Sequence, residues 1–134
     1  MKYPIGIQNF ESLRKDGYTY VDKTAMIHQL VVQGRYYFLS RPRRFGKSLL
    51  ISTLEAYFSG RRELFSGLAM EKLETDWTAC PILHLDLNTD DYQHENVLAQ
   101  RLNLTLSQWE KRYGKEENEV TPSQRFEGVI RRAA

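Results

Sequence analysis

The chain has 134 residues, 41% of them apolar and 27% charged, with a formal net charge of +2. This is an ordinary globular composition, enough for one modest core and too nearly neutral to argue for nucleic-acid binding from charge alone. The single cysteine, Cys80, excludes an intramolecular disulfide and a cysteine-built zinc site, so a reducing, cytoplasmic setting is the simplest expectation, with Cys80 a small buried side chain at a strand edge.

No run approaches the roughly 20 apolar residues of a membrane helix, and Met1-Lys2-Tyr3-Pro4 lacks the apolar core of a signal peptide. In chain order, the first element is a short helix capped by Asn9 and stopped at Gly17, with Phe10 and Leu13 on its apolar side. Tyr18 to Val21 is β-prone. Asp22 then caps a helix from Lys23 to about Gln33 whose buried stripe is Met26, Ile27, Leu30 and Val31, leaving His28 exposed.

Tyr36 to Leu39 is apolar at every position, as a parallel strand covered on both faces requires. A helix follows from about Lys47 to Phe58, with Leu50, Leu54, Tyr57 and Phe58 on one side and Gly60 past its end. A short helix around Arg62 to Phe65, a turn at Ser66-Gly67 and a helical piece carrying Met70 and Leu73 come next, with Trp77 in the core. Pro81 to Leu87 reads as a second strand, alternating Ile82, His84 and Asp86 on one face with Leu83, Leu85 and Leu87 on the other. Leu98, Leu102, Leu106, Trp109 and Tyr113 then mark one long amphipathic helix from about Glu95 to Tyr113. Thr121-Pro122-Ser123-Gln124 combines an N-cap, a proline at the first helical position and a glutamine that completes a capping box. The helix it opens carries Phe126, Val129 and Ile130 and is still running at Ala134, so the chain reads as cut short.

The chemistry concentrates at Arg41-Pro42-Arg43-Arg44-Phe45-Gly46-Lys47-Ser48, where an apolar run passes through a basic turn into a helix. This is the order of a phosphate-binding loop: backbone N–H groups curl around an anion that sits at the positive end of the helix. Lys47 would reach the β- and γ-phosphates of ATP and the Ser48 hydroxyl would sit on Mg²⁺, with the backbone of Arg43, Arg44, Phe45, Gly46, Lys47, Ser48 and Leu49 as the cradle. The general pattern has glycine where this chain has Arg41. The alternative is a helix start with glycine as a hinge.

Asp86 is the nearest candidate for a second magnesium contact, against a strand-end acid that pairs with a basic neighbour; Leu87 follows it, not Glu. His84 has no second histidine or cysteine at ligand spacing to make a metal site. Asp22, ahead of the loop, is either a helix cap or part of a base contact. Arg43 and Arg44 would serve phosphate, an acidic protein partner or nucleic acid equally well, and Arg61-Arg62 and Arg131-Arg132 read as solvated faces.

Four blocks together, Pro4 to Phe10, Tyr20 to Thr24, Tyr37 to Ser48 and Leu54 to Phe58, resemble the AAA-ATPase-like P-loop proteins common in bacteria. The Arg-Pro-Arg-Arg-Phe-Gly-Lys-Ser block is far more specific than a bare Gly-Lys-Ser, and the family resembles this loop with arginine at the position of Arg41. The resemblance implies ATP and Mg²⁺ as ligands, possible homo-oligomers, and often a PD-(D/E)XK nuclease-like domain after the ATPase. It also implies that the helix from Ser123 leads, in longer relatives, into a strand carrying the Walker B acid.

The resulting expectation is an α/β fold. It consists of a partial P-loop NTPase with a small, mainly parallel sheet flanked by helices, residues 1–35 as a helical lead-in and 36–134 as the P-loop core fragment, truncated before the Walker B strand. The competing expectations are an interaction module whose basic loop docks nucleic acid or protein, and a degenerate loop that binds no nucleotide.

Overall fold

The computed structural model of the protein describes residues 1–42, 46–87, 93–94 and 96–134. It divides into two compact units, Met1–Ile82 and Leu83–Ala134. The first contains helices α1 (Phe10–Lys15), α2 (Thr24–Gln33), α3 (Lys47–Phe58) and α4 (Ala69–Leu73), with a 3-10 turn at Arg62–Phe65; the second contains α5 (Val97–Tyr113) and α6 (Pro122–Ala133).

The local signals account for the helix ends. Asn9 caps α1 by accepting a hydrogen bond from the Ser12 N–H at 2.9 Å. Asp22 accepts from the Thr24 N–H at 2.9 Å at the start of α2. At α6 the full capping box forms: Thr121 Oγ1 accepts from the Gln124 N–H, and Gln124 Oε1 accepts from the Thr121 N–H.

The expected parallel sheet is the principal correction. Among the described residues no strand forms, and the one β feature is an isolated parallel bridge between Lys2 and Tyr18. A strand is stable only when a neighbour satisfies its backbone groups, and apolar character alone does not supply one. Tyr36 and Phe38 are each 94% exposed, whereas Tyr37 folds back so that its hydroxyl donates to the Leu30 carbonyl at the end of α2. In the second expected strand, Leu85 faces α5 and α6 instead of a sheet, lining an apolar cavity of about 250 Å³ with Leu102, Leu106, Trp109 and Phe126.

The core of the first unit is helix on helix. Phe10, Ile27, Ala56, Leu64, Phe65, Leu68 and Met70 are buried together, and Tyr20, Leu49, Leu50, Leu54, Tyr57 and Trp77 pack against them. Each fully buried side chain of this size contributes about 1.5–3 kcal/mol. Arg14 adds polar ties, its guanidinium donating to the carbonyls of Leu64 at 2.8 Å and Ser66 at 2.5 Å. The expected stripe on α2 is displaced: Thr24 and Ile27 are buried, while Met26 is 62% exposed. His28, expected to be exposed, is half-buried with Nε2 4.0 Å from the Glu74 carboxylate, which also accepts from the Tyr57 hydroxyl. Cys80, expected to be buried, is exposed.

In the second unit α5 and α6 pack against each other, with one buried ion pair joining the two helices and a second tying α6 to the segment between them. Arg125 donates to both Glu110 oxygens, at 2.6 and 3.0 Å. Arg132 donates to both oxygens of Glu119, at 2.6 and 2.9 Å. Glu119 fits because Gly128, one turn before Arg132 on α6, has no side chain; a Cβ there would lie 1.9 Å from Glu119 Oε1.

Gly128→Ala therefore tests the pair against helix propensity. Glycine to alanine inside a helix normally gains about 0.8–1 kcal/mol. Here the substitution should instead lower the thermal midpoint, because the Glu119 carboxylate is displaced from Arg132. In a Glu119→Ala background the same change should raise it. A stabilising effect of Gly128→Ala in the wild-type chain would refute the contact.

Candidate functional site

The start of α3 is the centre of the candidate site. Gly46 is its N-cap with φ +82°, a left-handed conformation that glycine adopts without steric cost, and among the described residues nothing lies within 4 Å of where a Cβ would be. Lys47 and Ser48 are the first two helical residues, and both are exposed. Leu50 N–H donates to the Gly46 carbonyl at 3.0 Å, so the intrahelical ladder begins there. The N–H groups of Lys47, Ser48 and Leu49 belong to the first turn, which has no intrahelical acceptor, and among the described residues no side chain caps them. Their aligned dipoles make a positive helix start that also carries the Lys47 ammonium.

The helix behind this turn is held firmly. Ser52 Oγ accepts from the Phe10 N–H at 2.9 Å, fixing the start of α1 to α3, and Thr53, buried, donates to the Leu49 carbonyl at 2.7 Å. Leu49 and Leu50 turn toward the core. The first turn of α3 is therefore set on a rigid base.

Beside Gly46 lies a groove of about 370 Å³, lined by Tyr20, Val21, Ile27 and Leu50 and carrying Lys23 and Arg41 as its cationic residues. Burial, and next the charge of Asp22, raise the pKa of the Tyr20 hydroxyl, so it remains a neutral donor.

Asp22 sits in the same unit and is heavily engaged. Its Oδ1 accepts from the Thr24 N–H and, at 2.6 Å, from the Thr24 hydroxyl, and Oδ2 accepts from the Ala69 N–H at 2.8 Å. Burial alone would raise its pKa, but these hydrogen bonds outweigh it and hold the carboxyl below its ordinary range. Asp22 thus ties the start of α2 to α4 from the position before the N-cap, which is Lys23 and has no side-chain cap. Thr24 Oγ1 completes the tie by accepting from the Met70 N–H at 3.0 Å.

Of the other expected residues, Arg43, Arg44 and Phe45 lie outside the described residues. Asp86 belongs to the second unit, where it is exposed and its carbonyl accepts from Arg101 Nε at 3.1 Å. Among the described residues no cluster of three or more His, Cys, Asp or Glu has metal-binding geometry, and no helix is long and apolar enough to cross a membrane. The polar group His28, Tyr57 and Glu74 and the two ion pairs of the second unit were missed from sequence. Spacing within one helix carries no signal for a partner on another.

These features define a two-unit helical protein with a cationic helix start beside an apolar groove. The chain belongs to the AAA-ATPase-like family, described as predicted AAA-ATPases, whose model matches residues 4–134. It is also 54% identical over 78 residues to a protein of Azotobacter chroococcum mcd 1 described as "Uncharacterized protein in vnfD 5'region", a match covering 58% of this chain and 15% of that relative. The chain thus corresponds to a small part of the relative's length. No solved structure matches it.

Proposed function

We propose that the protein binds a nucleoside triphosphate, ATP, with Mg²⁺ at the start of α3. The observation that carries this reading is the left-handed Gly46 leading into exposed Lys47 and Ser48, with the first-turn N–H groups uncapped among the described residues. Such a turn is suited to an anion. In this reading Lys47 takes the β- and γ-phosphates, the Ser48 hydroxyl takes the metal, and the variant Walker A sequence from Arg41 to Ser48 supplies the rest of the loop. Family membership supports the same ligand. The bound metal would neutralise phosphate charge, and the chain's own groups position the anion.

The reading is one of binding. Fast hydrolysis calls for a group that orients the attacking water, and Asp86 followed by Leu87 does not supply the acidic pair of a Walker B segment. We place the protein in the cytoplasm, in keeping with its single cysteine, Cys80.

Calorimetric titration of Mg-ATP into the wild-type chain and a Lys47→Ala variant tests the proposal. A hydrogen bond to a charged group contributes about 1.5–3 kcal/mol, so the variant should bind about tenfold to a hundredfold more weakly. Equal affinities, or no heat from the wild type, would overturn it.

A further inference from the structure

The groove beside Gly46 carries a cation that the loop does not supply. Lys23, the N-cap of α2, lines the same groove of about 370 Å³ as Gly46. Arg41, the other cation there, belongs to the loop sequence itself. A largely apolar cleft of this size with a few polar groups is what small-ligand sites commonly offer.

The fold holds Lys23 in place without neutralising it. Its carbonyl accepts from the N–H groups of Met26 at 3.1 Å and Ile27 at 3.2 Å, so its backbone is built into the first turn of α2. The Tyr20 hydroxyl lies beside both the Lys23 N–H and the Thr53 side chain of α3. The carboxylate next to it in sequence, Asp22, is engaged with Thr24 and with the Ala69 N–H of α4. Among the described residues Lys23 makes no ion pair, and no Asp or Glu lines the groove. From Thr24 to Gln33 α2 has no Asp, Glu, Lys or Arg either. The ammonium is thus a fixed cation whose counter-charge the chain does not provide.

We infer that Lys23 is a second phosphate contact, meeting the α-phosphate of the nucleotide while Lys47 meets the β and γ, an extension that rests on the nucleotide reading. In that reading Lys47 and Ser48 hold the terminal phosphates at the start of α3. The groove walls, Tyr20, Ile27 and Leu50 among them, suit the flat face of a base and not a charged phosphate. The phosphate joined to the ribose therefore falls between the helix start and those walls. An ammonium carries three donors and no acceptor, and an anionic oxygen is a stronger partner for it than a neutral base edge.

Calorimetric titration of Mg-ATP, Mg-ADP and adenosine into the wild type, Lys23→Gln, Lys23→Arg and Lys47→Ala tests it. Lys23→Gln should lose about tenfold in affinity, the lower end for a hydrogen bond to a charged group because the groove is open to water. The loss should be equal for ATP and ADP, since both carry the α-phosphate, and absent for adenosine. Lys47→Ala should instead lose more with ATP than with ADP. Lys23→Arg should recover most of the affinity, because phosphate accepts from either cation. The thermal midpoint of Lys23→Gln should match the wild type, because the side chain caps nothing. Wild-type affinity in Lys23→Gln alongside a weakened Lys47→Ala would overturn this inference alone, whereas no heat from the wild type with Mg-ATP would overturn the nucleotide reading with it. A loss that is the same with adenosine, or that comes with a lowered midpoint, would assign Lys23 to the base or to the fold and refute the phosphate contact.

Discussion

Phe65→Ala should destabilise the first unit by about 3–5 kcal/mol, the usual cost of removing a fully buried phenylalanine. Its ring is 0% exposed and lies 5.0 Å from Phe10, 5.2 Å from Trp77 and 6.5 Å from Tyr57, centroid to centroid. The 3-10 turn, α1, the end of α3 and the chain after α4 therefore converge on one side chain. Aromatic pairs in offset or edge geometry add about 0.5–1.5 kcal/mol beyond area, and an alanine forfeits all three pairs at once. Natural domains have only about 5–15 kcal/mol of stability, so the variant should be near its unfolding midpoint without denaturant. Urea unfolding followed through Trp77, in a Trp109→Phe background that silences the second unit's indole, measures the loss. Phe126→Ala, 43% exposed on α6, is the control and should cost much less. A loss below about 1 kcal/mol at Phe65 would mean the cluster is not the first unit's core.

The helices were legible in the sequence because their signals are local. Asn9, Gly60 and the Thr121 to Gln124 box each act within one turn, and each falls at or beside an observed helix end. The periodic run from Leu98 to Tyr113 likewise became α5. Strands require a partner distant in sequence, and no local pattern states whether one exists. Tyr36 to Leu39 and Pro81 to Leu87 have the composition of strands, yet Tyr37 bonds to α2 and Leu85 packs beside α5 and α6. The expected α/β architecture failed at that step.

Burial along the helices was legible only in part, for a related reason. Periodicity marks an apolar side and not which of its residues a neighbour covers. On α2 the contact with α4 is centred on Thr24, whose hydroxyl accepts from the Met70 N–H, so the buried face rotates away from Met26. At the candidate site the sequence located Gly46, Lys47 and Ser48 at a helix start, and α3 begins there. What it could not convey is the surrounding frame, in which Ser52 holds α1 and Asp22 spends its carboxylate on α2 and α4.

Glu110→Ala should destabilise the α5–α6 pair by about 3 kcal/mol, the lower end of the cost of breaking a buried ion pair. The side chains of Arg125 and Glu110 are only 11% and 9% exposed, and Arg125 also donates to Asn103 Oδ1 at 2.8 Å and Ser107 Oγ at 3.1 Å. Removing Glu110 leaves a desolvated guanidinium with neutral partners alone. The guanidinium hydrogen bonds, opposed by burial, hold the Glu110 carboxyl below its ordinary value of 4.5, and Arg132 acts likewise on Glu119. A carboxyl whose folded pKa is depressed contributes stability that is full above its unfolded value and is lost as pH falls through the folded one. The difference between wild type and Glu110→Ala should therefore be constant near neutrality and shrink below about pH 4.5. Fluorescence of Trp109, whose ring on α5 lies 5.9 Å from that of Phe126 on α6, follows this transition in a Trp77→Phe background. Replacing both partners by apolar residues, Glu110→Leu with Arg125→Met, should recover most of the loss, since no charge is then stranded. A Glu110→Ala penalty that persists undiminished to pH 2 would show that packing, and not the ion pair, joins the two helices.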